Sequence, residues 1–177
     1  MKNILIVSSS PRENSNSDLL CQAFSKGALE SGGDVHYISL KDSRIEYCCA
    51  CDTCQTEGKC IYKDDMEIYG QRLLAADVIV LATPVYFYSM SAQLKTFIDR
   101  LYPIYTEIKA DIYIFVSGYD DNKIRLGQAI EAIRGCTRDC FENCEEKGII
   151  VASNCKSNGD VKGSDVELQA YNMGRNC

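Results

Sequence analysis

Five of the eleven cysteines in this 177-residue chain fall between Cys48 and Cys60, in the stretch YCCACDTCQTEGKCIYKDD. Cys48, Cys51, Cys54 and Cys60 form CxxCxxCxxxxxC, with Cys49 out of register. Gaps of two residues let successive sulfurs converge, so four thiolates at this spacing suit a [4Fe–4S] cluster, although the last gap is long and no proline follows Cys60. Zinc also takes four thiolates, and bare thiols shaping a loop are the third alternative. Disulfides fit poorly, because an odd total cannot pair completely within one chain. Cys136, Cys140 and Cys144 recur every four residues in a predicted helix, broadly on the face of Ile130, Ile133 and Phe141. Free cysteine behaves there as a small hydrophobe, so core packing is expected. Cys21, Cys155 and Cys177 belong to no constellation, and His36, the single histidine, has no nucleophile partner in sequence. A histidine-dependent hydrolase is thereby disfavoured.

The formal charge is −6, with scattered Lys and Arg, which argues against binding nucleic acid through its phosphates. The opening MKNILIVSSS has too short an apolar run for a signal-peptide core. No segment approaches the roughly 20 apolar residues that cross a bilayer. A cytoplasmic protein with a small-molecule substrate and no membrane partner is expected, and in a reducing compartment free thiols are the rule.

The elements that must position these groups alternate along the chain. Apolar runs predict strands at Lys2–Ser8, Asp34–Leu40, Asp77–Ala82, Ile112–Ser117 and Gly148–Ser153. Helical spacing of Leu19, Leu20, Ala23, Phe24, Ala28 and Leu29 predicts a helix stopped by Gly32-Gly33. Further helices are predicted over Met66–Ala76, Met90–Leu101, Lys123–Glu146 and Val166–Arg175. This alternation implies an α/β fold, a five-stranded parallel sheet with helices on both faces. A single domain over 1–177 is expected, with a cysteine-rich insertion near 47–64.

In such sheets ligands collect at the carboxyl ends of the strands, near the topological switch point. Three segments should meet there: Ser8–Ser17, Thr83–Ser91 and Ser117–Asn122. The first, SSSPRENSNSD, joins a strand to a helix N-terminus and supplies hydroxyls, amides and Arg12, which suits either phosphate binding or plain helix capping. It contains neither a P-loop nor GxGxxG. The second, ATPVYFYSMSAQLK, carries three aromatics at Tyr86–Tyr88 that would border a flat heteroaromatic ligand or else pack as core. The third, SGYDDN, permits close backbone approach at Gly118.

Together, SSSPRENSNS and ATPVYFYSMSAQLKTFIDR resemble the NADPH-dependent FMN reductase family of flavodoxin-like proteins, and the element order agrees throughout. The resemblance implies a doubly wound sheet of order 2-1-3-4-5 with FMN at its switch point. It also implies that Ser10, Arg12, Asn16 and Ser17 hold the FMN phosphate. Pro84, Val85, Tyr86 and Phe87 would lie along the isoalloxazine, Ser89 and Met90 would close that loop, and Ser117 and Gly118 would sit at the ring's other edge. Ser9 and Tyr88 stand where the family often has glycine, and the bulk of Tyr88 would narrow the space above the flavin. The cysteine spacing resembles that of archaeal-type iron-sulfur flavoproteins.

The implied activity is an FMN-dependent oxidoreductase that takes hydride from NAD(P)H and reduces a small acceptor. In this chemistry the cofactor does the work, so no general acid or base is nominated. The alternatives are an iron-sulfur flavoprotein relaying electrons through a [4Fe–4S] cluster on Cys48, Cys51, Cys54 and Cys60, or a module binding another nucleotide. A homodimer or homotetramer is implied by the resemblance alone.

Overall fold

Asn3–Ser8 forms β1 in the computed structural model, which describes residues 1–177, and every residue from Ile4 to Ser8 is buried. An apolar run without polar alternation is what a strand covered on both faces requires. Val78–Pro84 (β3) and Asp111–Ser117 (β4) are buried in the same way. Asp34–Ser39 (β2) lies at one edge and is more open, and Glu145–Ala152 (β5) lies at the other. The sheet is wholly parallel with order β2-β1-β3-β4-β5, as predicted.

Five helices cover the two faces. Asn16–Glu30 (α1) and Asp165–Asn176 (α6) pack on one side through Leu20, Phe24, Ala28 and Ala170. Met66–Leu74 (α3), Ala92–Asp99 (α4) and Lys123–Thr137 (α5) cover the other through Leu73, Leu94, Phe97 and Ile133. Burying each such side chain stabilises the fold by about 1.5–3 kcal/mol before entropy is charged against it. The Ser15 hydroxyl caps α1 by accepting the Asp18 N–H at 3.2 Å. At the far end Gly32 takes φ +83°, a left-handed conformation that glycine adopts without a Cβ clash.

Three expectations need correction. The helix predicted over Lys123–Glu146 ends at Thr137, and β5 begins at Glu145. The intervening RDCFENC turns back under Phe141, which is buried in the core, and Glu145 donates its N–H to the Ala110 carbonyl beside β4. Ladder pairing between Asp111 and Glu145 therefore overrides a sequence that would continue the helix. As a result Cys136, Cys140 and Cys144 share no helix: only Cys136 is on α5, Cys140 is exposed beyond it, and Cys144 precedes β5. Finally, α4 starts at Ala92 rather than Met90, because the buried Ser91 hydroxyl caps it. The cysteine stretch also contains a short helix not foreseen, Thr53–Glu57 (α2).

Candidate cofactor site

The three loops meet at the carboxyl ends of β1, β3 and β4. Ser9, fully buried, donates both its N–H (3.0 Å) and its hydroxyl (2.9 Å) to the Ala82 carbonyl. The Ser91 hydroxyl bonds back to the Ser9 carbonyl at 3.2 Å, tying the first loop to the second. Val85 donates to the Ser117 carbonyl at 2.8 Å, tying the second to the third. A Cβ at Gly118 would stand 2.5 Å from the end of the Leu126 side chain, which would have to shift to admit it.

The first loop ends on the N-terminus of α1, whose leading N–H groups have no intrahelical acceptor. Ser10 and Ser17 are buried beside it, and the Ser10 hydroxyl accepts the Arg12 N–H at 3.1 Å. The exposed Arg12 side chain is tied to nothing else in the chain. Asn16 behaves differently from the expectation. Its carboxamide oxygen accepts from Gly159 (3.1 Å) and Val161 (3.2 Å), and its amide donates to the Ser157 carbonyl at 2.8 Å. Its side chain anchors the loop before α6, which leaves its backbone N–H as its contribution to an anion site.

The second loop is a tight turn. Tyr86 and Ser89 exchange two backbone hydrogen bonds of 3.0 Å, with Phe87 at φ +49° and Tyr88 at φ +60° between them. Two consecutive left-handed residues define a type I′ turn, normally built from Asn and Gly. Aromatic residues here store roughly 1–2 kcal/mol apiece, and such strain concentrates at functional sites. Phe87 is fully exposed, and the Tyr88 hydroxyl donates to Asp120 at 2.9 Å, bridging the second and third loops. Asp120 is held below the ordinary carboxylate range, first by the Asn122 N–H and then by Tyr88. Val85, Phe87, Tyr88, Tyr119 and Lys156 border a cavity of about 600 Å³ at this strand-end edge. Pro84 ends β3 half-buried, and Ser117 ends β4 buried.

Met90 departs from the expected flavin-loop role. It is buried, and it lines a second cavity of about 690 Å³ on the other side of the loop. Cys48, Cys51, Cys54 and Cys60 all line that cavity, together with Cys136 and Cys140. The sulfurs share the wall without three of them meeting in a metal-holding group. Cys49 also borders it. Hydrogen bonding from Thr53 pulls the exposed Cys51 thiol below its usual pKa, whereas burial pushes Cys136 up to about 12. Sequence reading missed the participation of Cys136 and Cys140, for which periodicity carries no signal.

Two aspartates close the cysteine loop. Asp65 accepts the Arg44 N–H at 2.7 Å. Asp64 accepts from the backbone of Glu46 (2.9 Å) and Met66 (3.1 Å), and from Arg100 at 2.7 and 3.1 Å. Arg100, at the C-terminal end of α4, also donates to the Glu46 carbonyl at 2.7 Å and lies over the Tyr62 ring. The side chains of both ion-pair members are only 2% exposed.

Residues 2–122, more than half of the chain, match the family described as NADPH-dependent FMN reductase. The chain belongs to that family. An iron-sulfur flavoprotein of Archaeoglobus fulgidus is 37% identical over 94 residues, 53% of this chain and 43% of the relative. An iron-sulfur flavoprotein of Methanocaldococcus jannaschii is 38% identical over 101 residues, 57% of this chain and 52% of the relative. The chain thus spans about half the length of these curated relatives. An NAD(P)H:quinone oxidoreductase from Methanothermobacter marburgensis superposes with a TM-score of 0.76 at 18% identity, covering 99% of this chain and 96% of its own. An azoreductase from Bacillus anthracis superposes at 0.71 and 16% identity, covering 99% and 98%. At such identities these two likenesses establish the flavodoxin-like fold.

Proposed function

We propose that this family member is an FMN-dependent oxidoreductase that accepts hydride from NAD(P)H and passes electrons to a small acceptor. The observation that carries the reading is the meeting of two complementary features at the switch point. One is an α1 N-terminus with buried serines and an unengaged Arg12; the other is an aromatic-bordered cavity between the second and third loops. The helix end and Arg12 fit a dianionic phosphate, and Val85, Tyr86, Phe87 and Tyr88 fit the apolar face of a flat ring. FMN would be held by Ser10, Arg12 and Ser17 at its phosphate and by Pro84–Phe87, Ser117 and Gly118 at its ring. When bound, it supplies the hydride and electron chemistry, while the protein binds, orients and excludes water. Purified protein should carry a flavin visible spectrum that NAD(P)H bleaches and a small acceptor restores. Protein that takes up no FMN, or whose bound flavin NAD(P)H leaves oxidised, would overturn the reading.

A second reading adds a [4Fe–4S] cluster on Cys48, Cys51, Cys54 and Cys60, making the protein an electron relay. The donor set is right in number and type. It shares its cavity with the unpartnered Nε of a buried, charged Arg100, an environment suited to an anionic group. The loop Pro84–Met90 lies between both sites, with Val85, Phe87 and Tyr88 on one cavity and Met90 on the other, a short route between two redox groups. The iron-sulfur flavoprotein names of the 37–38% identical relatives favour it. Iron and sulfide analysis of anaerobically prepared protein decides it. A homodimer or homotetramer in the cytoplasm is part of the same proposal, and sedimentation tests the assembly.

A further inference from the structure

Tyr88 is held in a conformation that its own backbone does not favour. It sits at φ +60° beside Phe87 at φ +49°, and the turn is fastened at its base by the two Tyr86–Ser89 backbone bonds of 3.0 Å. A left-handed backbone is unfavourable for a bulky residue, so such a turn persists only where its surroundings over-determine it. Phe87 adds no hold, since its side chain is fully exposed. Tyr88 does: its hydroxyl donates to Asp120 Oδ2 at 2.9 Å, a bond strengthened by the charge on the acceptor. Asp120 is itself fixed from several sides. Its other oxygen accepts the Asn122 N–H at 2.8 Å, Arg125 lies 3.6 Å from Oδ2, and its backbone carbonyl accepts the Asn154 N–H at 3.0 Å. Cys155 donates to the Gly118 carbonyl at 2.9 Å, which pins the third loop to the segment after β5. The bond therefore joins a firmly held acceptor to a strained donor, and both residues border the same cavity of about 600 Å³.

We infer that Asp120 is a positioning residue: it holds the Tyr88 phenol at the edge of the ring cavity and so limits how wide an acceptor reaches the flavin. The inference rests on the flavin reading given above and deepens it, by assigning acceptor width to one hydrogen bond between two loops. At 40% exposure the Tyr88 phenol has solvent on one side, and without the bond it would swing outward. With the bond in place, Tyr88 and Tyr119 both border the cavity, so a flat acceptor of one ring is admitted and a fused three-ring acceptor is hindered. Asp120 acts through Tyr88 and does not itself touch the reacting atoms.

Three variants separate this role from a merely structural one. Tyr88→Phe keeps the ring and removes the hydroxyl, Asp120→Ala removes the acceptor, and Asp120→Asn keeps an oxygen that accepts from Tyr88. Before FMN is added, hydrogen exchange at the Tyr86 and Ser89 amides reports the turn. Exchange should run about tenfold faster or more in Tyr88→Phe and Asp120→Ala, and near the wild-type rate in Asp120→Asn. In FMN-loaded protein, KM and kcat with NAD(P)H are then measured for benzoquinone and for anthraquinone sulfonate. The kcat/KM ratio of the wide acceptor to the narrow one should rise about fivefold or more in the first two variants, chiefly through KM, and return in Asp120→Asn. Wild-type exchange in Tyr88→Phe would overturn the inference. So would faster exchange with unchanged selectivity, which would make the bond structural only. Should Asp120→Ala fail to fold, having also lost its bond to the Asn122 N–H, Tyr88→Phe leaves that bond in place and decides alone. Protein that takes up no FMN overturns the flavin reading and this role with it. FMN-loaded protein with wild-type selectivity in all three variants overturns the role and leaves the flavin reading standing.

Discussion

Replacing Asp64 by alanine should strip the cysteine loop of its anchor and cost a large share of the protein's stability. The carboxylate accepts four hydrogen bonds, two from Arg100 and one each from the Glu46 and Met66 backbone, while its side chain is 2% exposed. Alanine leaves the Arg100 charge buried without its counter-ion, a defect that typically costs about 3–5 kcal/mol. Against a total stability on the order of 5–15 kcal/mol, that is readily measured. The effect also has a pH signature. Burial opposes the Asp64 charge, but Arg100 and the two backbone N–H groups more than offset it, and the carboxyl sits below the ordinary carboxylate range. A carboxyl depressed in the folded state stabilises fully above its unfolded value of roughly 3.9, and that stability is lost as pH falls through the folded value. Urea titrations followed by far-UV circular dichroism at several pH values measure both quantities. The wild-type advantage should be constant above about pH 5 and shrink below about pH 4. A loss under about 1 kcal/mol at neutral pH, the range of surface pairs, would refute the reasoning. So would an advantage that does not change in acid.

Arg12→Ala should weaken FMN by about 1.5–3 kcal/mol, the worth of a charge-assisted contact, and riboflavin far less. Equal losses in calorimetric titrations of the two ligands would remove Arg12 from the phosphate. Tyr88→Gly should relieve roughly 1–2 kcal/mol of left-handed strain and release the bridge to Asp120. Steady-state rates with bulky acceptors should then rise while FMN affinity stays nearly intact; unchanged acceptor selectivity would show that Tyr88 does not crowd the flavin. Serine at Cys48, Cys51, Cys54 or Cys60 should sharply reduce iron and sulfide per chain with FMN still bound, whereas Cys49→Ser should do much less, since it lies out of register with the CxxCxxC spacing. Equal losses from Cys49→Ser would break the assignment of ligands.

The parallel sheet was legible because its information is local. Ile4–Val7, Val78–Ala82 and Ile112–Val116 are unbroken apolar runs, and only a strand covered on both faces buries such a run completely. The meeting of the three loops followed from chain order, since strands joined by helices all end at one edge. The β5 boundary was not legible, because residues after Thr137 satisfy a helical period as well as a turn, and pairing with β4 makes the choice. Nor was the fate of Asn16, whose type suits a phosphate but whose carboxamide is taken by Ser157, Gly159 and Val161, more than 140 positions away. The cysteine spacing offered a candidate ligand set by itself and left a cluster, zinc and bare thiols open. Only the folded chain brings Cys136 and Cys140 to the same cavity, and only there does Arg100, 36 residues beyond Asp64, find the carboxylate that fixes it. Spacing along a strand or loop is set by backbone geometry, which sequence carries directly. Which carboxylate meets which guanidinium depends on how separate elements pack, and a buried ion pair such as Asp64–Arg100 has no periodicity to announce it.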